Sequence, residues 1–375
     1  MSSKVVMADL VDGAKKLVDA FQVKEDEEIL IVADSKTEPL LIQVISDAVV
    51  DRGALVTTVI GQYSTGMWAG TPFRRRREFT KCMENALKTC DGFIGISHCR
   101  FLYSFGEWYE YPTRQVMLMI PTTEFLASEA SRFPWQVDVE LAKKAHEILR
   151  PAHGKIVTVT DPLGTDMKFK LDYNTVYPHP DWIRADRPGS YALWPGCPGV
   201  PAVTIYAKEA EGTIVWEYQE LFDYKIMPPI KVIAENGWAT KVEGGYEAKL
   251  LQKIFKKYPN ANHISEFGFG MNPKLQLTAN SWFTGHRAGC VFNALADSWG
   301  LSGKIKSSFW ENHGLIVKPT VYVGDKLLID NGELTLLEDP DVREVASKLG
   351  YDPDKWLRTE PIYRNWEWTY GMSGM

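Results

Sequence analysis

The stretch Glu28-Ile-Leu-Ile-Val-Ala-Asp34 decides the fold class. A continuous apolar run this short, with no polar alternation, reads as a strand buried on both faces. The residues before it, 8–22, carry Leu10, Ala14, Leu17, Val18 and Phe21 at helical spacing. After it, residues 38–51 read as a helix closed by Gly53, and Ala54 to Ile60 as a second strand. A helix at about 76–89 and strands at Gly92 to Ser97 and Gln115 to Ile120 continue the alternation. Strand, helix and strand repeated in this way predict an α/β, doubly wound parallel-sheet domain over residues 1–151. In such layers ligands gather beyond the carboxyl ends of the strands. His98 stands there, just past the third strand. No G-x-G-x-x-G follows the first strand, so a dinucleotide site is not supported.

A helix over 135–149 ends near Pro151, and the pattern then changes. Lys155-Ile-Val-Thr-Val-Thr160 and Met167-Lys-Phe-Lys-Leu171 alternate apolar and polar residues around a Pro/Gly/Asp turn, which is a hairpin with one wet face. A long Pro- and Gly-rich loop at 174–201 is expected to be functional. Strands at 202–207, 212–218 and 230–235 and a helix at 246–257 follow, and the remainder reads as strand and loop. Residues 152–375 are therefore expected to form a β-rich α+β domain that carries a metal site.

Across 375 residues the net charge is −6, which argues against nucleic-acid binding, since phosphate neutralisation needs a basic surface. No secretory signal or bilayer-length apolar run is visible. The five cysteines form no CxxC pair and read as reduced thiols, so a cytoplasmic location is expected. The aromatic tail around Asn365 to Tyr370 is expected to pack against the body or another subunit, in a homo-oligomer.

Seven histidines are few enough to weigh singly. His146 and His153 read as structural, and His286, beside Arg287, as a polar surface residue. Glu311 and His313 lie two apart, which in an extended segment turns both side chains to one face, as a strand-borne metal site needs. His263 and Glu266, three apart, would point to opposite faces of a regular strand, so only one of them need face the same site. Imidazole and carboxylate from separate segments are the donors that iron, manganese and zinc sites draw upon. No nucleophile elbow, HExxH helix or P-loop is present.

The second half resembles the aminopeptidase T-like metallopeptidase family. The resemblance runs over about residues 150–330, through Thr160 to Phe169, Ala210 to Val215, Glu235 to Trp238, Glu243 to Gly245, Glu266 to Pro273, Gly289 to Leu295 and Trp310 to Tyr322. It implies a two-metal peptidase site, yet the ligand positions depart from it. Trp194-Pro-Gly-Cys197 stands where the family has a glutamate loop, Phe292 where it has a histidine, and Glu311-x-His313 where it has His-x-Asp. The same fold includes the 2,5-dihydroxypyridine 5,6-dioxygenases, which use one non-haem Fe(II). Similarity to them implies a mononuclear metal enzyme acting on a hydroxylated aromatic or N-heteroaromatic ring and O2. Glu311, His313 and one or both of Glu266 and His263 would hold Fe(II), with Zn or Mn as alternatives. His98 and His179 would act as acid–base or orienting groups. A metallohydrolase with Glu266 as general base, and a metal-free binding protein on a degenerate peptidase fold, stand as the rival readings.

Overall fold

The computed structural model describes residues 5–61, 81–96, 114–118, 120–177, 191–193, 202–222, 224–276, 284–296, 305–307, 309 and 312–359. The expected features at His98, His179, Cys197, Glu311 and the aromatic tail lie outside them.

The apolar run over 28–34 forms β1 (Glu28–Asp34), buried at every position but its first. It lies between β2 (Leu55–Gly61) and β3 (Gly92–Gly95), and β4 (Arg114–Met117) follows, all parallel. Helix α1 (Met7–Phe21) precedes β1, and α2 (Pro39–Val50) and α3 (Lys81–Thr89) lie in the connections from β1 to β2 and from β2 to β3. Pro39 sets the first turn of α2, where its missing N–H costs nothing. The third and fourth strands end earlier than their hydrophobic runs suggest, and the carbonyl of Ile96, just past β3, accepts from Thr37 Oγ1 at 3.0 Å. After α4 (Thr123–Leu126) the chain leaves this layer through α5 (Trp135–Leu149).

Two antiparallel sheets make up the rest. The hairpin strands β5 (Ile156–Thr160) and β6 (Asp166–Lys170) expose alternate residues, as their sequence requires. Asp161 Oδ1 closes their turn by accepting from the amides of Leu163 and Thr165. A short strand β7 (Tyr191–Leu193) returns to the first layer and pairs parallel with β4. The remaining strands are β8 (Ala202–Tyr206), β9 (Lys208–Trp216), β10 (Tyr218–Gln219), β11 (Ile230–Glu235), β12 (Trp238–Glu243), β13 (Ile264–Gly270), β14 (Val291–Leu295), β15 (Asn312–Ile316), β16 (Thr320–Val323), β17 (Lys326–Asp330) and β18 (Glu333–Leu334), with α6 (Tyr246–Lys257) between β12 and β13. They assemble as an eight-stranded sheet, β12-β11-β9-β6-β5-β16-β17-β18, and a five-stranded sheet, β10-β15-β14-β13-β8. The chain is thus a mixed α/β protein, a parallel sheet with helices joined to antiparallel β-rich sheets.

One apolar core, from Leu10 to Ala130, fills the parallel layer, and a second, from Phe133 to Leu357, fills the antiparallel sheets. Leu275 crosses into the first core, and Asn272 Nδ2 donates to the Ala130 carbonyl at 3.0 Å. The Met271-Asn-Pro273 turn that ends β13 is therefore a joint between the two layers.

The C-terminal residues correct the expectation of strand and loop beyond the last hairpin. Helices run over Pro340–Lys348 and Pro353–Trp356. Each opens on an aspartate, Asp339 or Asp352, whose carboxylate accepts from the amide two residues on, with proline at the first helical position. His286 also departs from its expected surface role. It is 3% exposed, with its ring against Phe292. Among the described residues no helix is long and apolar enough to cross a membrane.

Candidate active site

Strands β13, β14 and β15 are buried at every position, so polar residues on them must be accounted for. Register places Glu266 of β13 opposite Ala294 of β14, and Ala294 opposite His313 of β15. Glu266 and His313 therefore stand two strands apart on one face, with backbones separated by about 10 Å. In register the small residue Ala294 stands between them. Their side chains reach over it, leaving His313 Nε2 3.7 Å from Glu266 Oε2. That is long for a hydrogen bond. Two donors bound to one ion by bonds of about 2.1 Å would lie about 3.0–3.6 Å apart, close to what is seen here.

The other imidazole nitrogen meets a residue that sequence reasoning missed. His313 Nδ1 lies 2.7 Å from Glu220 Oε2, with both side chains 2% exposed. Glu220 follows the two-residue strand β10, which pairs with β15 through Gln219 and Gly314. That pairing sets Glu220 beside His313, 93 residues further along the chain. Burial by itself disfavours the imidazolium, but the Glu220 and Glu266 carboxylates outweigh it and push the His313 pKa up to about 10. Without a metal, His313 is accordingly a cation between two carboxylates at neutral pH.

His263 is arranged differently. A carbonyl can only accept, so Nδ1–H donates to the Ala296 carbonyl at 3.1 Å, and Nε2 accepts from the Tyr206 hydroxyl at 3.2 Å. The ring packs on Trp238 and Tyr206. Burial lowers its pKa, against the opposing bond to Ala296, so it is neutral. The structure brings Glu266 and His313 together, and it commits both nitrogens of His263 elsewhere. A bulge between Ile264 and Glu266 lies between the two residues.

Phe292 forms the wall of the Glu266–His313 face. It pairs across the sheet with Gly268 on one side and Leu315 on the other. Gly268 and Gly285 give it room, because a Cβ at either would collide with its ring. The ring meets His313 edge-on at 5.6 Å between centroids and lies beside His286 at 5.5 Å. An aromatic ring beside an imidazole keeps water from that side of it. Among the described residues no group of three or more His, Cys, Asp or Glu side chains converges on one point. Glu266 and His313 can therefore supply part of a donor set, with the remainder from elsewhere.

Comparisons with known proteins give this face a context. The chain is similar in structure to 2,5-dihydroxypyridine dioxygenase from Pseudomonas putida KT2440, with a TM-score of 0.71 and 19% identity over 88% of this chain and 98% of that one. It is also similar to wild-type AmpT from Thermus thermophilus, with a TM-score of 0.59 and 13% identity over 88% of this chain and 99% of that one. At these identities the likenesses establish the fold. No curated protein matches the chain by sequence. The family model for NicX, 2,5-dihydroxypyridine 5,6-dioxygenase, matches residues 9–295, which takes in the parallel layer, Glu220, Glu266 and Phe292. With most of its length matched, the chain belongs to the NicX family of 2,5-dihydroxypyridine 5,6-dioxygenases.

Proposed function

We propose that this protein opens the ring of 2,5-dihydroxypyridine, or a close hydroxylated N-heteroaromatic, with O2 at a single Fe(II) held by Glu266, His313 and Glu311. Family membership makes the chain a ring-cleaving dioxygenase and implies a metal cofactor; the hydrolase and metal-free alternatives fall away with it. The observation that carries the proposed site is the approach of His313 Nε2 to Glu266 Oε2 across Ala294, with the remote nitrogen engaged by Glu220. An imidazole and a carboxylate so placed fit a divalent cation of the borderline-hard kind, as iron, manganese and zinc are. Glu311, two residues before His313, supplies the third donor in this reading.

When bound, Fe(II) would supply the one-electron chemistry that O2 needs to react with a closed-shell ring. The protein's share is to orient, exclude water and handle protons. Both oxygen atoms enter the product, so ring opening adds O2 to the substrate with no external reductant. The phenolic proton must leave as the ring hydroxyl becomes an oxyanion. His98 and His179 are the bases proposed for that step. The edge of Phe292 would lie along the guest ring and keep bulk water from His313.

The test is anaerobic reconstitution of the full chain with Fe(II), beside Glu266→Gln and His313→Gln variants. One iron per chain, lost together with ring cleavage in both variants, is the expected result. Wild-type activity in either variant would remove that residue from the site.

A further inference from the structure

We propose that Glu220 is the positioning residue of the centre, holding the His313 imidazole in the tautomer and orientation that present Nε2 to the metal. The inference rests on the assignment of His313 as a ligand, made above.

Three hydrogen bonds join these two residues. Glu220 N–H donates to the His313 carbonyl at 2.8 Å, His313 N–H donates to Glu220 Oε2 at 3.2 Å, and Nδ1–H donates to the same oxygen at 2.7 Å. The first fixes the two backbones against each other, and the second fixes the Glu220 carboxylate against β15. The third fixes the ring. A carboxylate oxygen that takes Nδ1–H leaves the neutral ring's lone pair on Nε2, the nitrogen that faces Glu266. The carboxylate also makes the imidazole a more basic donor, as carboxylates behind metal-bound histidines do.

The local fold supports this role over an ordinary buried ion pair. The turn that carries Glu220 is closed by its neighbours, with Gln219 Oε1 accepting from Leu221 N–H at 3.0 Å and the Gln219 carbonyl from Phe222 N–H at 2.8 Å. On the far side, Trp216 lies flat against Gly314, where any side chain on that residue would strike the indole. The backbone of β15 is thus pinned from both sides next to His313, and Glu220 Oε2 takes both the amide and the ring N–H of that residue. Its second oxygen, Oε1, is buried and has no hydrogen-bond partner among the described residues. A carboxylate retained at that cost, with one oxygen on both the amide and the ring N–H of His313, is one whose charge is used.

Anaerobic Fe(II) titration of the full chain against a competing chelator tests the proposal in Glu220→Leu and Glu220→Gln, with folding followed by circular dichroism. Leucine removes the acceptor and should weaken Fe(II) binding about 10–100-fold. Glutamine keeps a neutral acceptor for Nδ1–H and should recover most of that loss, ending about 3–10-fold weaker than wild type. Where the leucine protein fails to fold, the glutamine protein decides by the same shift. A purely structural Glu220 would lower the melting temperature of the metal-free variants and leave their Fe(II) affinity at the wild-type value, and that result would overturn the proposal. Wild-type protein that takes up no Fe(II) would overturn the ligand assignment itself, and the role of Glu220 with it.

Discussion

Replacing Gly268 with alanine would set a methyl group against the ring of Phe292. Its Cβ would sit 2.5 and 2.6 Å from Cε2 and Cε1, and closer still to Cζ. Carbon atoms pack at about 3.5–4.0 Å, so the ring must retreat by at least about 1 Å. It cannot slide toward Gly285, where Cγ and Cδ1 already lie against the backbone. It must move against His286 or His313. Overpacking of this kind costs about 1–3 kcal/mol. Alanine in a strand offsets about 0.5–1 kcal/mol of that through lower backbone entropy in the unfolded chain. The net loss of about 0–2.5 kcal/mol corresponds, in a chain of this length, to a fall in melting temperature of up to about 3 °C. Ring cleavage should fall further than the folded fraction does, because the displaced ring presses on His313. In a Phe292→Leu background the methyl has room, so the same substitution should be nearly neutral there. Thermal melts and steady-state turnover of the four proteins of this cycle measure the coupling. Equal effects of Gly268→Ala in both backgrounds would refute the wedge.

Three other predictions follow from single residues. His263→Gln should leave Fe(II) stoichiometry at the wild-type value, because both ring nitrogens already bond to protein groups; metal analysis that shows loss of iron would return His263 to the ligand set. In metal-free protein, His313 has a folded pKa of about 10 against 6.5 for the free side chain, so its stabilising contribution is complete below about pH 6.5 and is lost as pH rises toward 10. Urea titrations across that range should show falling stability in wild type and a flatter profile in His313→Gln. Asp138 on α5 is wholly buried, has no hydrogen-bond partner for either carboxylate oxygen among the described residues, and is pushed well above the ordinary carboxylate range by desolvation. The folded state therefore holds a proton that the unfolded state releases, and its contribution declines as pH rises above the ordinary carboxylate pKa. Asp138→Leu should stabilise the protein at neutral pH by about 1–3 kcal/mol, and a lower melting temperature would contradict that account.

What the sequence made legible follows from how local each signal is. The run over 28–34, the hairpin around Asp161 and the stripes of α5 and α6 are set by periodicity within a dozen residues, and they stand where expected. The C-terminal helices carried equally local signals, Asp339-Pro340 and Asp352-Pro353, which the short and weakly apolar turns behind them obscured. Glu266 and His313 were candidates by residue type and by resemblance. Their meeting depends on register across β14 and on the small side chain of Ala294, and neither is a property of spacing along the chain. Sequence parity left His263 and Glu266 as alternatives, and the structure distinguishes their surroundings through the bonds each side chain makes. Glu220 had no signal at all. It lies in an unremarked acidic and aromatic stretch, and only the pairing of a two-residue strand carries it to His313. A histidine beside an arginine looks solvated, yet His286 is buried, because Gly268 and Gly285 leave room for the ring of Phe292 beside it.

The most direct test of the central claim is turnover of 2,5-dihydroxypyridine under 18O2 by the Fe(II)-reconstituted protein, with the product analysed by mass spectrometry. The account predicts a ring-opened product that carries both atoms of one O2 molecule, and no product from His313→Gln. A product that carries oxygen from water alone, or undiminished turnover without His313, would contradict it.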